Sequence, residues 1–362
     1  MAEGAAPRPI PLTLLTGFLG AGKTTLLNRL LRDEAFAATA VIVNEFGEIG
    51  LDHLLIEKAD DGLIELSAGC ICCTIRGELA EALDRLLVGL ATGRIASIER
   101  VVVETTGLAD PAPILSLLTR HPTLAERFRF DGVVTVVDAR SGAATLDTHA
   151  EAVRQVAVAD RIVLTKADIA PNDADALVAR LKRLNPAAPV LDARREALPE
   201  MLIGCGPFDP DARGADVRAW MAAEAFADGD HDHHDVNRHD NHIATFALHS
   251  SGGMASGDVL EFLDRLEIGH ASRLLRVKGI LGIAEDPEHP VVIQGVQGLF
   301  SPPVSLPRWP DADRTSRIVF IGRDVDRRAI EMLFDGFTGV ASIDTPDRQA
   351  LLDNPLAIWR HR

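Results

Sequence analysis

Residues 12–31 read LTLLTGFLGAGKTTLLNRLL, and the rest of the chain is interpreted outward from them. The apolar run 12–15 leads to Gly17-Phe18-Leu19-Gly20-Ala21-Gly22-Lys23-Thr24, which meets the pattern G-x-x-x-x-G-K-[ST] at every fixed position. Leu26, Leu27, Leu30 and Leu31 then recur at helical spacing, so the loop is predicted to lie between a buried strand and a helix. Glycines let a backbone curl around a triphosphate, and amide N–H groups at the helix entrance point at its oxygens. In such a cradle Lys23 reaches the outer phosphates and the Thr24 hydroxyl holds Mg²⁺.

With 362 residues the chain is long for one core, and two domains are expected. Against 37 Lys and Arg stand 53 Asp and Glu, giving a net charge of −16 with no basic stripe to offset it. Such a field repels nucleic acid and anionic membrane surfaces, so neither is an expected partner. The start, MAEGAAPRPI, has neither the cationic nor the apolar region of an export signal, and no stretch has the length to span a bilayer. A soluble, cytoplasmic protein is expected. Three of the four cysteines crowd at Cys70, Cys72 and Cys73, which in a reducing compartment points to metal or redox chemistry.

Downstream, apolar runs at 39–43, 101–103, 132–137, 161–164 and near 190 read as buried strands, with helices at 79–90, 148–158 and 173–184. The alternation predicts an α/β fold, a doubly wound, mostly parallel sheet whose ligands sit beyond the carboxyl ends of the strands. The second strand opens into Asn44-Glu45-Phe46-Gly47-Glu48, where Glu45 is placed to orient water or bind a metal. A short hairpin over 54–66 leads to the cysteine loop, whose thiolates are soft ligands for zinc or cobalt. The third strand ends at Glu104-Thr105-Thr106-Gly107, the layout of a Mg²⁺ and γ-phosphate sensor. The fifth runs into Thr165-Lys166-Ala167-Asp168. A carboxylate at Asp168 accepts two hydrogen bonds from guanine N1–H and its amino group, a pair that adenine lacks, so GTP is expected rather than ATP.

Beyond this the composition changes. Residues 1–205 are assigned to the nucleotide domain and 206–242 to a Gly/Pro/Asp-rich and then histidine-rich linker. There His231, His233 and His234 lead five of the chain's 12 histidines, as a tether or a metal-collecting arm. Residues 243–362 read as a smaller α+β domain, with strands at 243–248, 274–283, 291–299 and 318–321 and helices at 258–266 and 327–334. Arg273, Arg276 and Lys278 form a basic cluster that reads as a solvated strand face, or else as a contact to the nucleotide or a partner.

In order, GFLGAGKTT, VNEFGEIGLD, GCICC, ETTGLADP and TKAD closely resemble the CobW-type GTPases, a metallochaperone group related to the nickel-inserting GTPases of hydrogenase and urease maturation. The resemblance extends over nearly the whole chain and is looser in the linker and the C-terminal domain. It implies a P-loop GTPase whose Cys-x-Cys-Cys loop binds Zn²⁺ or Co²⁺ and passes it to a client metalloprotein, with room for a homodimer. By position, Gly17, Gly20, Ala21, Gly22, Lys23, Thr24 and Thr25 would hold phosphates, with Gly107 at the γ-phosphate. Thr24 and Glu104 would serve Mg²⁺, and Thr165, Lys166 and Asp168 would read guanine. Cys70, Cys72 and Cys73 would supply thiolates, and Lys23, Glu45 and Glu104 would carry catalysis. Two other classes fit parts of the chain: a metal buffer built on the histidine arm, and a P-loop kinase or ATPase with structural cysteines.

Overall fold

Strand β1 (Ile10–Gly17) is buried from Leu12 to its end, because it lies mid-sheet and is covered on both faces. The computed structural model describes residues 8–44, 75–109, 111–196, 199–202, 204 and 243–339. The expected hairpin at 54–66 and the linker at 206–242 lie outside them. Around β1 the first sheet runs in the order β2 (Thr39–Asn44), β3 (Arg100–Thr105), β1, β4 (Phe128–Asp138), β5 (Arg161–Thr165), β6 (Val190–Asp192), every neighbour parallel. Parallel neighbours need crossovers, which the helices supply. These are α1 (Lys23–Leu30), α2 (Ile75–Ala91), α3 (Ala112–Arg120), α4 (Pro122–Arg127), α5 (Gly142–Thr148), α6 (Ala150–Ala157) and α7 (Pro171–Leu184), and the one-turn α8 (Pro199–Leu202) follows β6.

The period of two along β1 separates two cores. Leu12 and Leu14 pack with Leu83, Leu86, Ile114 and Leu118, while Leu15 packs on the opposite face with Leu26, Leu27 and Val102. Truncating one such leucine to alanine typically costs about 3 kcal/mol. The helix expected over 148–158 is α6, which starts at Ala150; α5 ends just before it at Thr148, and between them His149, with φ −128° and ψ 107°, leaves the helical region. There the imidazole meets the Phe18 ring of the glycine-rich loop, centroids 4.4 Å apart.

The second sheet is antiparallel. Its order is β10 (Leu299–Phe300), β9 (Val291–Val296), β8 (Leu274–Leu281), β12 (Ser316–Arg323), β7 (Ile243–Ser250), with β11 (Val304–Ser305) also on β9. The single strand expected over 291–299 is a hairpin, because Gln297 and Gly298 both take positive φ, 54° and 71°, and turn the chain between β9 and β10. Helices α9 (Asp258–His270) and α10 (Arg327–Thr338) cover one face through Phe262, Leu266, Ile330 and Phe334. From the other face, Leu275, Val296 and Ile321 enter the same apolar cluster as Leu12 of the first sheet and Ile114 of α3. The two sheets thus share a core.

That contact overturns the reading of the basic cluster. Arg273 is exposed, but Arg276 and Lys278 are buried, both ion-paired to Asp160, which is itself 0% exposed. The Lys278 ammonium lies 2.8 Å from Asp160 Oδ1, the Arg276 guanidinium binds the same oxygen, and the Val133 N–H donates to Oδ2 at 3.0 Å. Period-two alternation identified the strand face correctly, but the first domain covers it rather than water. Burial opposes the charge on Asp160, yet Arg276 and Lys278 hold its carboxyl below the usual carboxylate range. Burial outweighs the Asp160 attraction at Lys278 and brings its pKa down to about 8.

Candidate functional site

The site begins where β1 ends. Gly17 has φ 143°, and a Cβ there would meet the Val136 carbonyl oxygen at 2.3 Å, so only glycine fits between β1 and β4. Gly22, with φ 95°, precedes α1 and is left-handed. No acidic residue stands in the first turn of α1 and no side chain caps it, which leaves its N–H groups turned to the loop as an anion would require.

Lys23 is largely buried, and its Nζ donates to the Gly17 carbonyl at 2.9 Å and the Phe18 carbonyl at 3.4 Å, so the ammonium is held inside the loop. The Thr24 hydroxyl donates to Glu104 Oε1 at 2.7 Å. Register explains the meeting, since Glu104 pairs with Leu15 across β1 and β3 and both strands end on the same side. A neutral hydroxyl and a carboxylate this close form the oxygen-only, partial donor set that Mg²⁺ takes while keeping positions for water and phosphate. Thr25 follows on an exposed turn of α1.

Thr165, Lys166 and Asp168 divide their work. The Thr165 hydroxyl donates to the Ala21 carbonyl at 2.7 Å, and Lys166 Nζ donates to the Gly20 carbonyl at 2.8 Å and pairs with Asp138 at 2.6 Å. These two buttress the glycine-rich loop. Burial works against charge on Asp138, but the hydrogen bond from Lys166 keeps its carboxyl below the usual range. Asp168 faces a cavity of about 610 Å³ lined by Ala167, Ala174, Asp192, Arg194 and Arg195, and pairs with Arg194 at 2.7 Å. The cavity is roomy enough for a flat heterocycle, with the carboxylate at its wall.

Gly107 lies in the turn after β3, close enough to the loop that a Cβ would meet Leu19 N at 2.5 Å. Sequence reasoning missed Asp138, Arg194, His149 and Gln155. Asp138 had a signal, an acidic residue closing an apolar strand; the others had none. Glu45, Cys70, Cys72, Cys73, His231, His233 and His234 lie outside the described residues. In sequence, Glu45 directly follows β2 and Cys73 stands just ahead of α2. Among the described residues no group of three or more His, Cys, Asp or Glu could hold a metal ion, and no helix is long and apolar enough to cross a membrane.

Comparison with known proteins gives a consistent picture. Residues 11–192 match the family described as the CobW/HypB/UreG nucleotide-binding domain, and residues 243–338 match the cobalamin synthesis protein cobW C-terminal domain. The zinc chaperone YjiA of Escherichia coli is 36% identical over 328 residues, spanning 91% of this chain and 98% of YjiA. The zinc chaperone CobW of Pseudomonas aeruginosa is 32% identical over 359 residues, 89% of each chain. Among solved structures, the Zn(II)-bound YjiA GTPase from E. coli superposes with a TM-score of 0.64 at 32% identity, covering 91% of this chain and 99% of that one.

Proposed function

The chain belongs to the CobW/HypB/UreG family, and we propose that it is a GTP-hydrolysing metallochaperone that binds zinc and delivers it to a client protein as GTP turns over. The observation that carries this reading is the convergence of Lys23, the Thr24–Glu104 pair and the Asp168 cavity along one edge of the parallel sheet, with the loops that bear Glu45 and the three cysteines joined in sequence to β2 and α2. Names of relatives that include zinc chaperones and a zinc-regulated GTPase metalloprotein activator support the same cargo.

GTP places its phosphates in the loop from Gly17 to Thr25. Lys23 exchanges the Gly17 carbonyl for the outer phosphate oxygens, a trade that gains a charge-assisted contact. Asp168 accepts the N1–H and amino donors of guanine, and Arg194 gives way to the base. Thr24 and Glu104 would hold Mg²⁺, which supplies neutralisation of charge on the outer phosphates. Glu45 orients the attacking water. Cys70, Cys72 and Cys73 supply thiolates to zinc, with Co²⁺ as the second ion such ligands accept. The terminal phosphate draws these loops into a tight metal site, and its loss relaxes them so that the ion passes on.

Phosphate release from GTP and ATP, with zinc transfer to a chromogenic chelator followed in parallel, tests this. GTP-selective turnover that speeds transfer is expected. Equal use of ATP would favour a kinase or ATPase. Zinc capacity that survives loss of the three cysteines but disappears on deletion of 228–242 would favour a buffer.

A further inference from the structure

Among the buried residues of helix α6 one is polar and the rest are apolar. Gln155 is 1% exposed, among Ala152, Val153, Val156 and Ala157. Its Nε2 donates to the carbonyls of Gly107 and Ala109, both at 3.2 Å, and the Thr135 hydroxyl fixes its own carbonyl at 2.7 Å. Oε1 is buried and has no hydrogen-bond partner among the described residues. An unsatisfied acceptor is a cost that leucine at this position would avoid, so the residue is explained by its two N–H donors.

Those donors grip the turn on either side of Leu108. The opposite wall of the turn is the glycine-rich loop, since a Cβ on Gly107 would strike Leu19 N at 2.5 Å. A carbonyl directed at Gln155 turns the N–H of the same planar peptide the other way. Fixing two carbonyls therefore fixes how the peptide planes after Glu104-Thr105-Thr106 are presented. We propose that Gln155 is a positioning residue for recognition of the terminal phosphate: it holds the turn at 107–109 in the orientation that distinguishes GTP from GDP. This rests on the reading of residues 104–107 as the γ-phosphate sensor. It predicts a selective defect, because GDP is held by the loop and by Asp168, while both hydrogen bonds of the Gln155 amide go to the turn at 107–109.

The test is equilibrium binding of GDP and of a non-hydrolysable GTP analogue, each with Mg²⁺, to the full chain and to Gln155→Leu, Gln155→Met, Gln155→Glu and Gly107→Ala. Thermal unfolding midpoints confirm that each variant is folded. Losing two hydrogen bonds should weaken analogue binding by about tenfold in the Leu and Met variants and leave GDP within about twofold. An ionised Gln155→Glu side chain cannot donate, so its analogue binding, relative to wild type at each pH, should recover as pH falls and the carboxyl gains a proton. Equal losses for both nucleotides, or none, in the Leu and Met variants would overturn the proposal. If Gly107→Ala also leaves the ratio intact, the sensor reading itself fails; if Gly107→Ala lowers it alone, only the role of Gln155 fails.

Discussion

Two clusters of charge in this molecule are built to opposite plans. In the glycine-rich loop, Lys23 is held by backbone carbonyls, and Asp168 lines an open cavity. At the junction of the sheets, Asp160, Arg276 and Lys278 are sealed from water and paired through one carboxylate oxygen, with Arg276 Nε and Nη1 finding no hydrogen-bond partner among the described residues. The first arrangement keeps its charges exchangeable, so that a ligand can replace weak internal contacts with stronger ones. The second commits them. Helix α6 runs between the two, with Gln155 bonded to the turn after β3 and Asp160 shortly beyond the helix end.

The difference can be broken from either side, and the largest effects lie at its two poles. Asp160→Ala should destabilise the fold by about 4 kcal/mol, because it leaves two buried cations without a counter-ion. Urea unfolding would measure this, while the folded fraction should bind GDP normally. Lys23→Ala should do the reverse, lowering GTP turnover (kcat/KM) by roughly a thousandfold with little change in the urea midpoint. If each substitution impaired both properties equally, the distinction drawn here would be void.

Asp168→Asn comes next. It should cost GTP about a hundredfold in affinity, by leaving guanine donors poorly matched, and should leave ATP unchanged. Smaller still is the pH dependence of the buried cluster. Lys278 has a folded value of about 8 against an ordinary 10.5. Below pH 8 both states hold the proton, and the cost of burying it applies in full. Between those values the unfolded chain binds more proton than the folded one, so this group's contribution to stability rises with pH and levels off above the ordinary value. Comparing wild type with Lys278→Met by urea midpoints from neutral to alkaline pH should show that rise in the wild type alone. The smallest effect belongs to Arg194→Ala, which removes an exposed pair worth about 0.5 kcal/mol, so GDP affinity should change by no more than a few-fold.

The same contrast decided what could be read from sequence. The glycine-rich loop was legible because the pattern G-x-x-x-x-G-K-[ST] spaces Gly17, Gly22, Lys23 and Thr24 along a continuous stretch, and because parallel strands deliver Glu104 and Asp168 to one edge. The parallel character of the first sheet followed from strand runs alternating with helical ones, and the strands of the second domain from apolar alternation, whereas the strand order and the antiparallel pairing are seen only in the structure. The junction was not legible. Asp160 lies far from Arg276 and Lys278 in sequence, and a period of two says which face a residue takes without saying what covers it. Gln155 escaped notice for a similar reason: its partners are carbonyls, which no residue type announces. The helix at 142–148 was not read from its sequence, and the ring contact of His149, which follows it, with Phe18 is tertiary.

Zinc affinity in the presence of GDP and of a non-hydrolysable GTP analogue, set by competition with a chelator of known strength, tests the central claim most directly. Coupling between the sites is reciprocal, so the analogue should tighten zinc by about tenfold or more, and zinc should tighten the analogue by the same factor. Identical zinc affinities under the two nucleotides would contradict the account.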